Sequence, residues 1–121
     1  MTPFGEVMRE LRRRKGVSQR DMASAIGVSP AYLSALEHGH KGTPSFDFLQ
    51  RVAGYFNIIW DEAEALFMVA RSSDPRVVLD TSGLPPQYTA FANRLAHSLR
   101  HLSPSTIEKL DSMLEIAERG D

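Results

Sequence analysis

The chain has 121 residues, a formal net charge of −1 and no cysteine, which fits one domain with a small addition and excludes disulfides and thiolate metal sites. Its hydrophobic content of 42% and charged content of 24% are ordinary for a globular protein. It carries no N-terminal signal pattern and no apolar run of about 18 residues, so we expect neither secretion nor membrane insertion and place the chain in the cytoplasm.

The charge is unevenly distributed along the chain. Residues 1–44 carry seven basic and four acidic side chains, a local charge of +3, whereas residues 45–71 and 72–121 are each −2. A net charge near zero argues against nonspecific coating of nucleic acid, while the basic N-terminal part suits a localised anionic partner.

Five helices are predicted in the first 71 residues. The first, residues 3–15, carries an apolar stripe of helical period formed by Phe4, Val7, Met8 and Leu11. The fourth begins at the capping residue Ser45. The fifth begins at Asp61, where Asp61 and Glu64 resemble a capping box and Trp60 could staple the helix entry. Nothing here alternates with period two, so we expect an all-α fold.

The second and third helices are short and are joined by a tight turn. Ser18 can cap the second helix, with Asp21 placed where the helix dipole favours negative charge. Gly27 can adopt the left-handed conformation that ends a helix, and Ser29 with Pro30 begins the next one. Two helices joined in this way form a helix-turn-helix, whose second helix can enter the major groove of DNA.

Residues 72–86 are rich in Ser, Pro, Asp and Gly and predict a connector. Within it, Val77–Leu79 either lies extended against the core or pairs as a short strand with another chain. Two amphipathic helices follow, at about 86–102 and 104–118, and their short connection predicts an αα-hairpin.

We therefore divide the chain into a helix-turn-helix domain of residues 1–71, the connector, and a helical hairpin of residues 87–121. The hairpin is too small to bury both of its apolar stripes alone, so they must pack on the helical domain or on a second subunit. We favour a second subunit. The expected dimer interface consists of Tyr88, Phe91, Leu95, Leu99, Leu102, Ile107, Leu110 and Leu114.

The residue pattern of the first four helices resembles the lambda-repressor-like, XRE-type helix-turn-helix family over about residues 4–70. The matching positions are Leu11–Arg12, Gly16, Ser18–Gln19, Met22–Ala23, Ile26–Ser29, Tyr32–Ser34, Glu37, Gly39, Pro44–Ser45, Leu49 and Ala53. The resemblance implies a five-helix DNA-binding domain that usually acts as a dimer on an inverted-repeat operator and represses or activates transcription. It says little about residues 72–121.

The resemblance also implies roles for individual residues. Gln19 matches a glutamine that clamps a phosphate, and Arg12 and Glu37 match a pair that often forms a buried salt bridge. The positions that face base edges in the family correspond here to Ser29, Pro30, Ala31, Tyr32 and Ala35.

Three of these positions depart from the better-known members of the family. The side chains of Pro30, Ala31 and Ala35 cannot hydrogen-bond a base edge, although they can touch a thymine methyl group. Tyr32 either contacts DNA or packs against the turn, and we favour DNA. Direct readout by the recognition helix, residues 29–38, is therefore expected from Ser29, Tyr32, Ser34 and His38, with DNA shape supplying the rest.

Several basic residues are candidates for phosphate contact. Arg13, Arg14 and Lys15 either reach phosphates or form a solvated helix end that is favourable to the helix dipole. Arg20, on the first turn of the second helix, is a better phosphate candidate. Lys41 lies in a glycine-rich turn that either grips a phosphate or is a flexible loop, and we favour phosphate contact.

No catalytic or metal constellation is present in the sequence. His97 and His101 have a spacing that can hold zinc, but a third ligand is missing, so we expect no metal and no cofactor. The chain also lacks a phosphate-binding loop, a nucleophile elbow and paired carboxylates in an apolar setting. We therefore expect that it is not an enzyme.

The sequence leaves three functions open. The first is a homodimeric, sequence-specific regulator of transcription that binds double-stranded DNA at a palindromic operator. The second is an antitoxin-type autoregulator or interaction module whose C-terminal hairpin binds a partner protein. The third is a fold that has lost DNA binding and only assembles proteins.

Overall fold

The computed structural model describes residues 1–120, and all of their regular structure is helical. This confirms the predicted all-α class. A 3₁₀ turn at Leu99–His101 follows the sixth of seven α-helices. The helices are α1 (Pro3–Lys15), α2 (Gln19–Ile26), α3 (Pro30–Glu37), α4 (Phe46–Tyr55), α5 (Asp61–Arg71), α6 (Pro86–Ser98) and α7 (Pro104–Glu118).

The chain divides into two compact units, which we call the N-terminal unit, Met1–Val77, and the C-terminal unit, from Val78 onward. The boundary falls within the predicted connector. Each helix between residues 1 and 120 is too short or too polar to cross a membrane.

The helix ends of the helix-turn-helix follow the predicted chemistry. The Ser18 hydroxyl accepts the Asp21 N–H at 3.0 Å, and the Asp21 carboxylate accepts the Ser18 N–H at 3.2 Å, so both donors of a capping box are satisfied. Gly27 ends α2 in the left-handed conformation at φ 80°. Ser29 then caps α3 by accepting the Tyr32 N–H at 3.0 Å.

One apolar core joins the five helices of the N-terminal unit. The rings of Phe4 and Phe48 meet edge to face with their centroids 6.5 Å apart, which links α1 to α4. The buried apolar residues are Phe4, Met8, Met22, Ala23, Ile26, Leu33, Leu36, Phe48, Leu49, Val52, Ile58, Leu66 and Ala70. Because α2 and α3 both contribute to this core, the helix-turn-helix has a fixed geometry.

The start of α5 differs from the sequence prediction. Asp61 is the first helical residue, so its carboxylate does not occupy the capping position, and no side chain caps this helix. The capping residue is Trp60, which has φ 56° and is 84% exposed, so the predicted staple is also wrong. The backbone of Trp60 is in the left-handed region, and its indole lies in solvent. Ile58, two residues earlier, is the residue at this helix entry that packs into the core.

The two predicted C-terminal helices are present, but neither contains a buried residue. The sixth helix ends at Ser98 rather than near residue 102, because Leu99–His101 continues as the 3₁₀ turn. Ser103 caps α7 by accepting the Thr106 N–H at 3.2 Å. Within residues 1–120, α6 and α7 do not pack against each other, so neither helix covers the apolar face of the other.

Candidate nucleic-acid interface

A buried ion pair holds the C-terminal end of α3. Arg12 donates to both carboxylate oxygens of Glu37, at 2.5 and 3.0 Å, and the Glu37 side chain is fully buried. The Arg12 guanidinium also lies 3.4 Å from the Met22 sulfur. The Gln19 amide donates to the same carboxylate at 3.3 Å. Glu37 thereby links α3 to both α1 and α2, and its buried charge is compensated by several donors.

The backbone of Glu37 is fixed as well. Its carbonyl oxygen accepts the Thr2 N–H at 3.1 Å and the Thr2 hydroxyl at 2.9 Å. A Cβ atom on Gly5 would lie 2.2 Å from that oxygen, so only glycine allows α1 to approach α3 this closely. The sequence did not reveal the roles of Thr2 and Gly5, although Thr2 followed by Pro3 is a recognisable helix start.

The first turn of α3 presents the predicted base-reading residues to solvent. Ser29, Pro30 and Ala31 are exposed, and Tyr32 is 42% exposed. The Ser29 oxygen accepts the cap hydrogen bond from Tyr32, which leaves the Ser29 O–H free to donate to a base or phosphate. The exposed surface of this turn therefore carries two side chains that can hydrogen-bond and two that offer only apolar contact.

The rest of the predicted reading surface is less open. Ser34 and Ala35 are half-buried. His38 is exposed, and its Nδ1 donates to the Ser34 carbonyl at 2.8 Å. The ammonium of Lys41 lies 5.8 Å from the centroid of the Tyr32 ring, so two separately predicted contact residues form one surface.

Arg51 is a cationic residue beside this surface that the sequence analysis missed. It lines a shallow groove with Ser29 and Tyr32. Its guanidinium donates to the Ile26 carbonyl at 3.2 Å and pairs with Asp47 at 2.7 Å. Nothing in the sequence distinguished Arg51 from other helix-surface arginines, because only the packing of α4 on α2 brings it here.

The basic end of α1 has partners within the chain. Arg13 and Arg14 both bond the Glu10 carboxylate, and the hydrogen bond from Arg13 is the main reason that the pKa of Glu10 falls from 4.5 to about 2. Lys15 lies 4.9 Å from the centroid of the Tyr55 ring. DNA contact by Arg14 and Lys15 stays a prediction. Glu10 and the Tyr55 ring would compete with phosphates for these two cations. Arg20 is exposed in the first turn of α2.

The histidines of α6 have an ordinary structural setting. The Nδ1 atom of His97 donates to the Asn93 carbonyl at 2.7 Å, one turn earlier in the same helix. Within residues 1–120, no three side chains of the kinds that bind metals come together.

The fold and this surface define a helix-turn-helix protein, and comparisons with known proteins agree. The helix-turn-helix family model matches residues 8–61. YazB of Bacillus subtilis, an uncharacterised HTH-type transcriptional regulator, is 36% identical over 59 residues, which cover 49% of this chain and 84% of YazB. No solved structure matches the chain.

Two other relatives from Bacillus subtilis differ in how much of the chain they match. RghRB, an uncharacterised HTH-type transcriptional regulator, is 24% identical over 102 residues, 84% of this chain and 73% of RghRB. The HTH-type transcriptional regulator SinR is 32% identical over 55 residues, 46% of this chain, and the match spans half of SinR.

The chain belongs to the XRE-type helix-turn-helix family. The three relatives described above are named transcriptional regulators, and the chain is a DNA-binding regulator of transcription rather than an enzyme.

Proposed function

We propose that this protein acts as a homodimer that binds a palindromic operator in a sequence-specific manner. The α3 helices of the two copies would lie about 34 Å apart and enter successive major grooves on one side of the duplex. In this arrangement, each copy reads one half-site, and binding of the first copy holds the second at a high effective concentration near its own half-site.

The observation that carries the proposal is the exposure of the apolar faces of α6 and α7. Burying an apolar side chain of this size contributes roughly 1.5–3 kcal/mol, so covering these faces would provide a strong driving force for association. Leu95 and Leu102 of the predicted interface are half-buried. The large apolar residues that are exposed between the start of α6 and the end of α7 are Tyr88, Phe91, Leu99, Ile107, Leu110, Met113, Leu114 and Ile116.

The backbone of the operator would be held mainly by α2 and by the turn after α3. Gln19 uses one amide hydrogen for Glu37, and the second can donate to a phosphate. Arg20 and Lys41 would add charge at neighbouring phosphates. Arg51 is a further candidate, because it lies beside Ser29 and Tyr32.

Base recognition would come from the exposed first turn of α3. Ser29 and Tyr32 can hydrogen-bond base edges, and Pro30 and Ala31 can contact thymine methyl groups. The half-buried Ser34 and Ala35 and the exposed His38 complete the proposed surface. Since the side chains of Pro30, Ala31 and Ala35 cannot hydrogen-bond, the shape and deformability of the operator would contribute much of the specificity.

A gel shift with the DNA upstream of the protein's own gene tests this function at low and at moderate salt. We expect a shift that weakens steeply as salt increases, because phosphate contacts release counterions. Arg20→Ala should lower affinity for every sequence and reduce the slope of log K against log salt by about 1. Arg71→Ala, which removes an exposed charge at the end of α5, is the matched control. The absence of any salt-sensitive shift would contradict the proposal.

The same exposed faces also favour a second candidate, in which α6 and α7 bind a different protein while the N-terminal unit regulates its operon. Purification from cell extract separates the two candidates. A small partner that co-purifies with the full chain, but not with a chain truncated after Pro86, would support the second. A homodimer whose mass is unchanged by the extract would support the first.

A further inference from the structure

Arg76–Asp80, which we call the connector strand, is an exposed apolar segment with unused backbone groups. Val77 is 74% exposed, Val78 88% and Leu79 56%. Within residues 1–120, no hydrogen bond uses the backbone N–H or C=O of these three residues. Three consecutive apolar residues, two of them β-branched, favour an extended strand. The unpaired N–H and C=O groups of such a strand are a template for pairing with another strand.

Both ends of the connector strand are defined by local hydrogen bonds. The Asp74 carboxylate accepts the Arg76 N–H at 2.9 Å, and the Asp80 carboxylate accepts the Ser82 N–H at 2.9 Å. Hydrogen bonds from Ser82 lower the pKa of Asp80, so this side chain is negatively charged at neutral pH. Between these turns, five residues are available for pairing.

The start of the connector strand is anchored beside the end of the recognition helix. The Ser73 hydroxyl accepts the Phe4 N–H at 2.9 Å and donates to the Val69 carbonyl at 2.6 Å. A Cβ atom on Gly39 would lie 2.8 Å from the Pro75 ring, so the chain packs tightly against the turn that follows α3. The strand therefore leaves the N-terminal unit from a fixed point.

We propose that the connector strand pairs antiparallel with the same segment of a second copy, about a two-fold axis at Val78. This inference rests on the proposed homodimer and assigns it a second contact besides the helices. The strand that pairs with it belongs to a second copy of this chain, because the charges and apolar residues of the segment are complementary to themselves.

Charge complementarity selects the register. With Val78 on the axis, Arg76 of each copy faces Asp80 of the other, and Val77 faces Leu79. Two ion pairs and two apolar pairs are formed, each of which stabilises an antiparallel ladder. Centring the pair on Val77 would instead place Asp80 opposite Asp74, where like charges repel.

The hydrogen bonds agree with this register. Successive N–H groups of a strand point to opposite edges, and that of Arg76 is already bonded to Asp74. The opposite edge carries the N–H and C=O groups of Val77 and Leu79, which can form four bonds between the copies. Val78 then occupies a non-hydrogen-bonded pair, in which the two Cα atoms lie about 4.5 Å apart.

Pairing here would couple dimerisation to the spacing of the recognition helices. From one Pro75 to the other, the paired strands would extend over about 20 Å, at roughly 3.3 Å for each residue. This span is shorter than the half-site separation of about 34 Å, so each recognition helix would lie beyond its Pro75 anchor. The strand pair would then limit the operator spacings that the dimer can bind.

Symmetric disulfide formation tests the pairing, because the natural chain has no cysteine. We expect Val78→Cys in the full chain to form a covalent dimer rapidly on mild oxidation, since its Cα separation is within the disulfide range. Val77→Cys is the matched control, exposed to a similar degree. In the proposed register its two copies lie about 8 Å apart, too far for an unstrained bond.

The outcomes also separate this inference from the proposed homodimer. Equal cross-linking of both variants would indicate random collision and overturn the pairing. No cross-linking of Val78→Cys, while light scattering shows a dimer, would overturn the pairing alone. If the wild-type protein is a monomer at all concentrations measured, both proposals fail.

A charge swap provides a second test that does not depend on cysteine chemistry. Arg76→Asp places like charges opposite each other twice in the dimer and should raise the dissociation constant about tenfold. Arg76→Asp combined with Asp80→Arg restores both pairs and should return the constant to near the wild-type value. A double variant as weak as the single one would overturn the register.

Discussion

The two units of this chain treat their apolar side chains in opposite ways. The N-terminal unit buries thirteen apolar residues in one core shared by five helices, although a few such as Trp60 stay exposed, whereas no residue of α6 or α7 is buried. Amphipathic helices are found in both units, so amphipathicity alone does not produce a core. The N-terminal unit therefore has a core of its own, whereas the apolar faces of α6 and α7 are covered only in the association that we propose.

The largest expected effect comes from the buried ion pair of the N-terminal unit. Arg12→Ala leaves the Glu37 carboxylate buried without its main partner and should lower the free energy of unfolding by about 3–5 kcal/mol. Denaturant titration measures this loss. Arg13→Ala removes an exposed pair with Glu10 and should leave the midpoint almost unchanged. Similar losses for both variants would contradict the role assigned to Glu37.

Leucine substitutions test the contrast between the units directly. Leu33→Ala removes a fully buried side chain and should cost about 2–5 kcal/mol of unfolding free energy. Leu114→Ala removes a side chain that is 60% exposed, so it should leave the unfolding of the N-terminal unit unchanged and weaken the proposed dimer. Sedimentation equilibrium combined with thermal unfolding distinguishes these effects. A loss of N-terminal stability in Leu114→Ala would contradict the contrast.

A smaller effect is expected where the connector strand is anchored. Gly39→Ala combines backbone strain at φ 80° with a clash against Pro75, and should cost about 1–3 kcal/mol. Gly42→Ala is the matched control, since Gly42 has φ 70° but no neighbour within 4 Å of an added Cβ. Chemical denaturation compares the two variants. Equal costs would show that the Pro75 contact contributes nothing.

The smallest expected change in stability accompanies a change in sequence preference. Tyr32→Ala should alter the consensus selected from a random DNA library, at a cost of about 1–3 kcal/mol for the best site. The N-terminal unit should keep its melting temperature, because Tyr32 is 42% exposed. An unaltered consensus would show that Tyr32 does not read bases.

The local structure of this chain was largely predictable from its sequence. Capping residues such as Ser18 and Ser29 act on backbone groups only a few residues away, so a short window defines the helix ends. The start of α5 was mispredicted because the left-handed backbone at Trp60 has no marker in its residue type.

The candidate site was less predictable, because parts of it depend on contacts distant in sequence. Gly5 is required by the carbonyl of Glu37, and Arg51 joins the reading surface only through the packing of α4 on α2. Lys41 and Tyr32 were each identified, but their mutual contact became visible only in the structure.

The number of chains bound to one operator duplex tests the central claim most directly. Native mass spectrometry can measure this with a palindrome selected by the wild-type protein and with a duplex that carries only one half-site. We predict two chains on the palindrome and much weaker binding to the half-site. One chain on the palindrome, with equal affinity for the half-site, would contradict the account.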